Sequence, residues 1–222
     1  MGRGAFGRAV VVMGKPAVAG RVKTRLTPAL SAAQAAEVYA GFLADVLTLA
    51  HDAARSCDAA ALLSWAGPEP APAERPGRMR VLLQEGSDLG ERIETARAGA
   101  GAAKVVVIGS DAPLMDPRRI QDAFSALERG HPVVGPVDDG GYDLVGLLGP
   151  SPWATSGIPW STDRVLEVTR AQAAAAGVHL EELDMGYDVD TAEDLARLMR
   201  DPRLVGARHT ADALRRIGWL VD

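Results

Sequence analysis

Three aspartates have the type and spacing expected of ligands for a hard divalent cation. Asp111 directly follows an apolar run, and Pro113 stiffens the turn that presents it. Asp188 and Asp190 point to the same face if their segment is extended, and such close like charges repel each other unless a cation lies beside them. We therefore predict that Asp111, Asp188 and Asp190 bind Mg²⁺ or Mn²⁺. The alternatives are a turn aspartate at Asp111 and a helix cap at Asp190 or Thr191.

A cationic loop follows the first predicted strand. No acidic residue occurs before Glu37, and two of the three lysines of the chain fall in this loop. Compact ammonium groups and planar guanidinium groups together suit a diphosphate or triphosphate, and glycine lets the backbone approach such a ligand. Neither a Walker A nor a Gly-x-Gly-x-x-Gly pattern is present in the loop, and a solvated basic loop is the alternative. The predicted phosphate-binding residues are Lys15, Gly20, Arg21, Lys23 and Arg25.

Residues 138–143 combine carboxylates, two glycines and a tyrosine. An Asp-Gly pair usually marks a hairpin turn, but the neighbouring carboxylates indicate a substrate-facing loop, with Asp139 or Asp143 as a candidate general base. Residues 158–163 end at a predicted helix N-terminus, which suits anions, although Trp160 is alternatively a core anchor. The predicted acceptor-binding residues are Gly140, Gly141, Tyr142, Asp143, Trp160, Ser161 and Thr162. The predicted catalytic residues are Lys23, Asp111 and Asp139.

The elements that position these residues alternate between strand and helix. Strands are predicted at residues 8–13, 59–65, 79–83, 104–109, 131–137, 142–148 and 178–183. Helices are predicted at 31–55 and 162–176, with others beginning near residues 88, 116 and 191, while the tail from residue 202 is not assigned. This alternation predicts an α/β fold with a mostly parallel sheet covered on both faces, a three-layer α/β/α sandwich. Ligands of such sheets bind beyond the carboxyl ends of the strands, where the charged residues fall.

The composition restricts the class of protein. A chain of 222 residues with 47% hydrophobic and 24% charged residues fits one globular domain, residues 1–222. The net charge of −5 argues against general nucleic-acid binding, and no apolar run is long enough to span a membrane. A single cysteine, Cys57, and the lack of a signal-peptide pattern predict a cytoplasmic protein. The four histidines lack ligand spacing, so none is assigned to a metal.

Together, the motifs resemble a bacterial family of glycosyltransferase-A-like proteins, the rSAM/selenodomain-associated or arsenosugar-type transferases. The matching segments are PAVAGRVKTRL (16–26), DLGER (88–92), GSDAP (109–113), DGGY (139–142), IPWST (158–162) and DVDTAEDL (188–195). They occur in the expected order over residues 8–198. The chain is also similar to 2-phospholactate guanylyltransferases and, more distantly, to molybdenum-cofactor nucleotidyltransferases. The resemblance implies the nucleotide-diphospho-sugar transferase fold.

The resemblance also implies roles for individual residues. In the relatives, the N-terminal loop holds phosphates, the aspartate after the central strand binds Mg²⁺ and a late acidic residue completes the metal site. These roles fall on the cationic loop, on Asp111 and on Asp188 or Asp190, and Gln84, Gly86 and Arg92 match positions that recognise the base. The chain departs from the family at Gly14, Asp138 and Asp143, where alanine, glutamate and a second tyrosine are usual.

Three functions are consistent with these residues. In the favoured one, a nucleoside triphosphate is joined to a phosphorylated small molecule and pyrophosphate is released, which suits the four cations of the loop. In the second, a nucleotide-sugar donates its sugar to a small-molecule acceptor. The third is a nucleotide-binding protein without catalysis. The sequence indicates neither the base, nor the acceptor, nor the oligomeric state.

Overall fold

The computed structural model of the protein describes residues 7–27 and 29–220. Its strands form one seven-stranded sheet with the order β3-β2-β1-β4-β6-β5-β7. Strand β6 runs antiparallel to β4 and β5, whereas the other neighbouring pairs are parallel. The sheet is therefore mostly parallel, as predicted. The strands are Arg8–Gly14 (β1), Ala60–Trp65 (β2), Arg80–Leu83 (β3), Lys104–Ile108 (β4), Val133–Pro136 (β5), Tyr142–Leu147 (β6) and Glu181–Glu182 (β7).

Helices connect most of the strands. They are Ala32–Ser56 (α1), Leu89–Ala100 (α2), Pro117–Glu128 (α3), Pro152–Thr155 (α4), Val165–Ala175 (α5), Ala192–Arg200 (α6) and Arg208–Arg216 (α7). Short 3₁₀ helices occupy Thr24–Leu26, Pro76–Arg78 and Pro202–Gly206. The helix predicted from residue 162 begins later, at Val165, and has no side-chain cap. The other predicted helix starts are confirmed by hydrogen bonds to backbone amides that have no partner within the helix. The capping side chains are Ser31, Asp88, Asp116 and Thr191.

The helices cover both faces of the sheet. Successive side chains of a strand point to opposite faces. Val10 and Val12 of β1 therefore pack in the same hydrophobic cluster as α1 and α3, whereas Val11 packs in the cluster that contains residues of α2 and α5. This arrangement confirms the three-layer α/β/α sandwich, and it turns the carboxyl ends of six parallel strands toward one edge of the sheet.

The structure differs from the sequence prediction at the edge of the sheet and in the tail. The predicted strand at residues 178–183 is reduced to Glu181–Glu182, because only this stretch pairs with β5. The unassigned tail forms α7. Two of its first backbone amides donate hydrogen bonds to the buried carboxylate of Asp45 on α1, His209 N to Oδ1 at 3.1 Å and Thr210 N to Oδ2 at 2.7 Å. Gly41 permits the close approach of the two helices, since a β-carbon there would lie 2.7 Å from the backbone oxygen of His209.

Among the described residues, no helix has both the length and the apolar character that crossing a bilayer requires.

Candidate active site

A cleft of about 590 Å³ opens at the carboxyl edge of the sheet. Its walls come from the ends of β1 and β4, from the turn between β5 and β6, and from the segment that precedes α6. The lining includes many of the residues predicted from sequence, which are Lys15, Arg25, Gln84, Arg92, Asp111, Asp139, Gly141, Tyr142, Asp143, Trp160, Ser161, Thr162, Asp188 and Asp190.

Lys23 lies beneath the aspartates of this cleft. Its ammonium nitrogen is 2.7 Å from Oδ1 of Asp111 and 2.7 Å from Oδ1 of Asp190, and only 3% of its side chain is exposed. Arg25 adds a second positive charge, with Nη1 at 3.6 Å from Oδ2 of Asp190. The loop after the first strand and two distant acidic segments therefore converge at one point.

The charges at this point support one another. Burial alone would lower the pKa of Lys23, but the carboxylates of Asp111 and Asp190 outweigh it, and the pKa lies above its ordinary value. Burial would likewise raise the pKa of Asp190, yet Lys23 and Arg25 hold it below the ordinary value. The lysine is therefore a permanent cation at neutral pH, and Asp190 a permanent anion.

Asp188 has a different environment. Burial, together with the negative charges of Asp190 and Asp139, raises its pKa to about 7. Carboxylate oxygens of these three residues lie within 4.8 Å of one another. The cluster holds more negative charge than nearby cations neutralise, which is the condition under which carboxylates bind a divalent ion.

A second observation also fits a divalent cation. Oδ1 of Asp111 is buried, and its ion-pair partner among the described residues is Lys23, whose Nζ lies 2.7 Å away. The amide of Val189 donates to the backbone oxygen of Asp111 at 2.9 Å, which holds the two acidic segments side by side. The residues present therefore suit an oxygen-seeking metal, with Asp139 as an additional neighbour that the sequence analysis assigned to another role.

The alternating pattern around Val189 explains the placement of the aspartates. Val189 is fully buried, and Asp188 and Asp190 on either side of it line the cleft. Val189 packs in a cluster with Leu26, which follows the cationic loop, and with Leu114, which follows Asp111. We call this cluster, completed by residues of α1, α6 and α7, the apolar platform; it contains one apolar residue from each of the three charged segments.

Tyr39 is a site residue that the sequence analysis missed. Its hydroxyl accepts a hydrogen bond from Lys15 N at 3.2 Å and shares another with Ser110 Oγ at 2.9 Å. The Lys15 ammonium lies 5.8 Å from the centre of the tyrosine ring. Burial and the charge of Asp111 raise the pKa of Tyr39 to about 12, so the hydroxyl stays protonated. Tyr39 thus joins the cationic loop to the strand end that carries Asp111.

The residues expected to recognise the base occupy the other end of the cleft. The Gln84 amide nitrogen donates to the backbone oxygens of Gly14 at 3.1 Å and Ser64 at 2.9 Å, which fixes its orientation and leaves the carbonyl oxygen as an acceptor. Arg92 Nε donates to Gly86 O at 3.1 Å. Gly86 itself is not among the cleft-lining residues of the described chain.

Two of the predicted phosphate-binding residues lie elsewhere. Arg21 is 73% exposed and has Glu69 at 3.5 Å, and neither it nor Gly20 is part of the described cleft lining. Gly20 adopts φ +77°, so its role in the structure is to turn the loop. The cationic cluster at the cleft therefore consists of Lys15, Lys23 and Arg25.

Residues 138–143 form a hairpin turn, which is the alternative that the Asp-Gly pair indicated. Strands β5 and β6 pair in antiparallel fashion across this turn, and Asp139 Oδ1 accepts a hydrogen bond from Gly141 N at 2.9 Å. Gly140 is outside the described cleft lining, and with φ +88° it packs directly on the backbone oxygen of Asp163. The turn nevertheless brings Asp139 to the cleft beside Asp188.

The environment of Asp143 differs from the one expected for an acceptor-binding residue. Its side chain is 3% exposed and receives a hydrogen bond from Arg119 Nη2 at 2.8 Å. Burial raises the pKa of Asp143, and the Arg119 charge opposes that rise. Arg119 also donates to the backbone oxygen of Asp184. Arg119 therefore ties α3 to β6 and to the segment after β7. Because the Asp143 carboxylate is paired with Arg119, it is not free to bind a substrate.

The aromatic part of the acceptor region forms one wall of the cleft. The rings of Tyr142 and Trp160 meet edge to face with centroids 6.1 Å apart, and both belong to a hydrophobic cluster of the core. Ser161 has φ +64°, a conformation that non-glycine residues rarely adopt. Trp160 is thus both a packing residue and part of the cleft lining.

A second group of potential metal ligands lies at the amino ends of β5 and β7, away from the cleft. Ligand atoms of His131, His179 and Glu181 lie within 4.8 Å of one another. Glu181 is already engaged by His131 at 2.5 Å and by Arg129 at 2.5 Å, so its charge is neutralised by partners within the protein. The histidines have no ligand spacing in the sequence because strand pairing, and not sequence proximity, brings these residues together.

The mixed α/β fold with its mostly parallel seven-stranded sheet matches nucleotide-diphospho-sugar transferase structures. A crystal structure from Desulfovibrio desulfuricans G20, described as a "putative nucleotide-diphospho-sugar transferase", has 26% sequence identity and a TM-score of 0.75, covering 97% of this chain and 99% of that one. The chain belongs to the family described as "Uncharacterized protein conserved in bacteria (DUF2064)", whose profile matches residues 25–162.

More distant structures share the fold. CMP:2-keto-3-deoxy-manno-octonic acid synthetase, solved with CTP, has a TM-score of 0.58 at 11% identity over 90% of this chain and 98% of that one. Glucosyl-3-phosphoglycerate synthase from Mycobacterium tuberculosis, solved with Mg²⁺ and UDP, has a TM-score of 0.50 at 13% identity over 97% and 80% of the two chains. No curated protein sequence gives a significant match. The structural neighbours are therefore nucleotidyltransferases and glycosyltransferases.

Proposed function

We propose that the protein is a metal-dependent transferase whose substrate is a nucleotide, and that it transfers a nucleotidyl group from a nucleoside triphosphate to a phosphorylated small molecule. The observation that carries the proposal is the meeting of three cations, Lys15, Lys23 and Arg25, with the acidic residues at one edge of the sheet. Fixed positive charges beside carboxylates suit a phosphate chain that is bound partly by protein cations and partly by a metal ion.

Asp111, Asp188 and Asp190 would hold the metal, which is Mg²⁺ or Mn²⁺ in this proposal. The buried Oδ1 of Asp111, paired with Lys23, and the negative charges gathered around Asp188 support this assignment. When bound, the ion would neutralise charge that develops on the phosphate oxygens. Gln84 and Arg92 would orient the base, and the wall formed by Tyr142 and Trp160 would receive the acceptor.

Nucleotidyl transfer to a phosphorylated acceptor requires no proton transfer by the protein. An oxygen of the acceptor phosphate attacks the α-phosphorus, the bond between that phosphorus and the bridging oxygen to the β-phosphate breaks, and pyrophosphate leaves with the bonding electrons. An ionised phosphate oxygen has no proton to lose, so no general base is required. The cations of the loop stabilise the charge on the departing pyrophosphate.

Glycosyl transfer is the second candidate, and the likeness to the Desulfovibrio protein favours it. In that reaction, an acceptor hydroxyl attacks the anomeric carbon of a nucleotide-sugar, and a nucleoside diphosphate leaves. The hydroxyl must lose a proton, and Asp139 at the cleft would receive it. Asp143, the other predicted candidate for this base, is engaged by Arg119, which leaves Asp139 as the better candidate.

Product analysis separates the candidates. The protein is incubated with Mg²⁺, a set of phosphorylated acceptors and either each nucleoside triphosphate or each nucleotide-sugar. Release of pyrophosphate supports nucleotidyl transfer, and release of nucleoside diphosphate supports glycosyl transfer. Nucleotide binding without turnover would support a non-catalytic binding protein and would contradict the proposal.

Replacement of Asp111 tests the metal assignment directly. Asp111→Asn is expected to abolish Mg²⁺-dependent nucleotide binding, measured by calorimetric titration, while thermal stability stays nearly unchanged because Lys23 keeps Asp190 as a partner. Asp116→Asn is the control: Asp116 caps α3, and asparagine caps a helix about as well as aspartate, so its replacement should leave both stability and binding nearly unchanged. A large loss of stability in Asp111→Asn with intact binding would make Asp111 a structural residue.

A further inference from the structure

The ammonium group of Lys23 lies between two of the carboxylates that are proposed to hold the metal ion. Its nitrogen contacts Oδ1 of Asp111 and Oδ1 of Asp190 at 2.7 Å each, and the side chain is almost completely buried. A divalent ion that binds these same two oxygens would take the position of the ammonium, so ion and ammonium would compete for it. Nζ also lies 5.8 Å from the centre of the Phe42 ring, which helps to hold the charge there.

We propose that Lys23 is a resident counter-ion that the metal displaces, and that the phosphates of an incoming metal–nucleotide complex receive the displaced ammonium. The inference rests on the proposed function and states the form of its substrate. The protein takes up a chelate of a divalent ion with a nucleotide polyphosphate, in preference to a free metal ion followed by a nucleotide.

The cost of burying a charge favours the binding of metal and polyphosphate together. A buried ammonium that loses both carboxylate partners is costly unless another anion pairs with it. Free metal brings no such anion, whereas a metal–polyphosphate chelate brings the metal for the aspartates and the phosphate for Lys23 in one step.

The backbone of Lys23 has a left-handed conformation, with φ 47° and ψ 41°, immediately before a 3₁₀ turn. Such strain in a non-glycine residue persists only where its surroundings hold it.

Lys15 provides the contrast. It belongs to the same loop and carries the same charge, but it is exposed, and the described part of the chain contains no ion pair for it. If Lys23 competes with the metal through direct contact, its removal should tighten metal binding much more than removal of Lys15. By linkage, the factor by which polyphosphate strengthens metal binding equals the factor by which metal strengthens polyphosphate binding.

Mn²⁺ binding to wild type, Lys23→Met and Lys15→Met is measured by water proton relaxation and by the electron paramagnetic resonance signal of free Mn²⁺. Each protein is titrated with Mn²⁺ alone and with Mn²⁺–pyrophosphate, a probe independent of the base. We expect Lys23→Met to bind free Mn²⁺ at least about tenfold more tightly than wild type, and Lys15→Met to change it less than about threefold. Wild type should prefer Mn²⁺–pyrophosphate over free Mn²⁺, and this preference should be smaller in Lys23→Met, where only Lys15 and Arg25 remain to bind the phosphates.

Circular dichroism checks that the variants fold, and the comparison of the two probes on wild type needs no variant. Wild type that binds free Mn²⁺ as tightly as the chelate, or Lys23→Met that binds Mn²⁺ no more tightly than wild type, overturns the inference even if turnover is observed. Tightened Mn²⁺ binding in Lys23→Met supports it even if no nucleotide is turned over, so its failure and that of the proposed reaction are distinguishable.

Discussion

Replacing Asp188 with asparagine is expected to stabilise the metal-free protein and to weaken its binding of a divalent cation. Burial and the charges of Asp190 and Asp139 raise the pKa of Asp188 from 3.8 to about 7. Between about pH 4 and pH 7, the folded protein therefore holds a proton that the unfolded chain has lost. The free energy of unfolding falls across this window as the pH rises, and asparagine removes that loss.

The size of the effect follows from the pKa. A displacement from 3.8 to about 7 corresponds to a cost of roughly 4 kcal/mol for the ionised folded state. Because Asp188 lines an open cleft, water screens part of the charge, and we expect about 2 kcal/mol. For a chain of 222 residues, the melting temperature of Asp188→Asn at pH 8 should then exceed that of wild type by roughly 4–8 °C.

Calorimetry in EDTA at pH 4.5 and pH 8 measures this difference, with Asp122→Asn as a control. Asp122 is an exposed residue of α3 outside the cleft, so its replacement should change neither value. We expect the stabilisation by Asp188→Asn at pH 8 and its disappearance at pH 4.5. With excess Mn²⁺ at pH 8, wild type should instead have the higher melting temperature, because it binds the ion more tightly than Asp188→Asn does. A gain of equal size at both pH values would refute the electrostatic explanation.

Two further substitutions address the surroundings of the site. Arg119→Met should destabilise the protein by about 3–5 kcal/mol in urea unfolding, because Asp143 is left buried without its partner; a cost below about 1 kcal/mol would contradict a structural ion pair. Tyr39→Phe should cost about 1–3 kcal/mol and also weaken nucleotide binding in calorimetric titration, because Lys15 N and Ser110 lose a common partner. A stability loss with unchanged nucleotide affinity would restrict Tyr39 to the core.

Local patterns predicted most of the fold. The cap at Ser31 depends on residues within four positions, and the alternation around Val189 places Asp188 and Asp190 on the cleft side. Sequence position also placed Asp111 correctly at a strand end, since an apolar run without alternation indicates a central parallel strand. These features could be predicted because the interactions that cause them lie within a few residues.

Features that depend on distant partners could not be predicted. Asp143 was expected to face the acceptor, and only the fold reveals Arg119 beside it. The role of Asp45 depends on α7, more than 160 residues away. Arg21 lies in the same loop as Lys23, yet its guanidinium turns toward Glu69 on the surface. The types of charged residue predicted a phosphate site, and the fold shows which of them meet at the cleft.

The apolar platform links the geometry of the proposed metal site to temperature and to substitutions in α7. Leu26, Leu114 and Val189 seat three chain segments on one hydrophobic surface that Leu214 of α7 helps to complete. Loosening that last helix should therefore shift the backbone that carries the proposed metal ligands before it melts the sheet. On warming, the capacity to hold a metal should fade at a lower temperature than the secondary structure, and a change such as Leu214→Ala should widen the interval between the two.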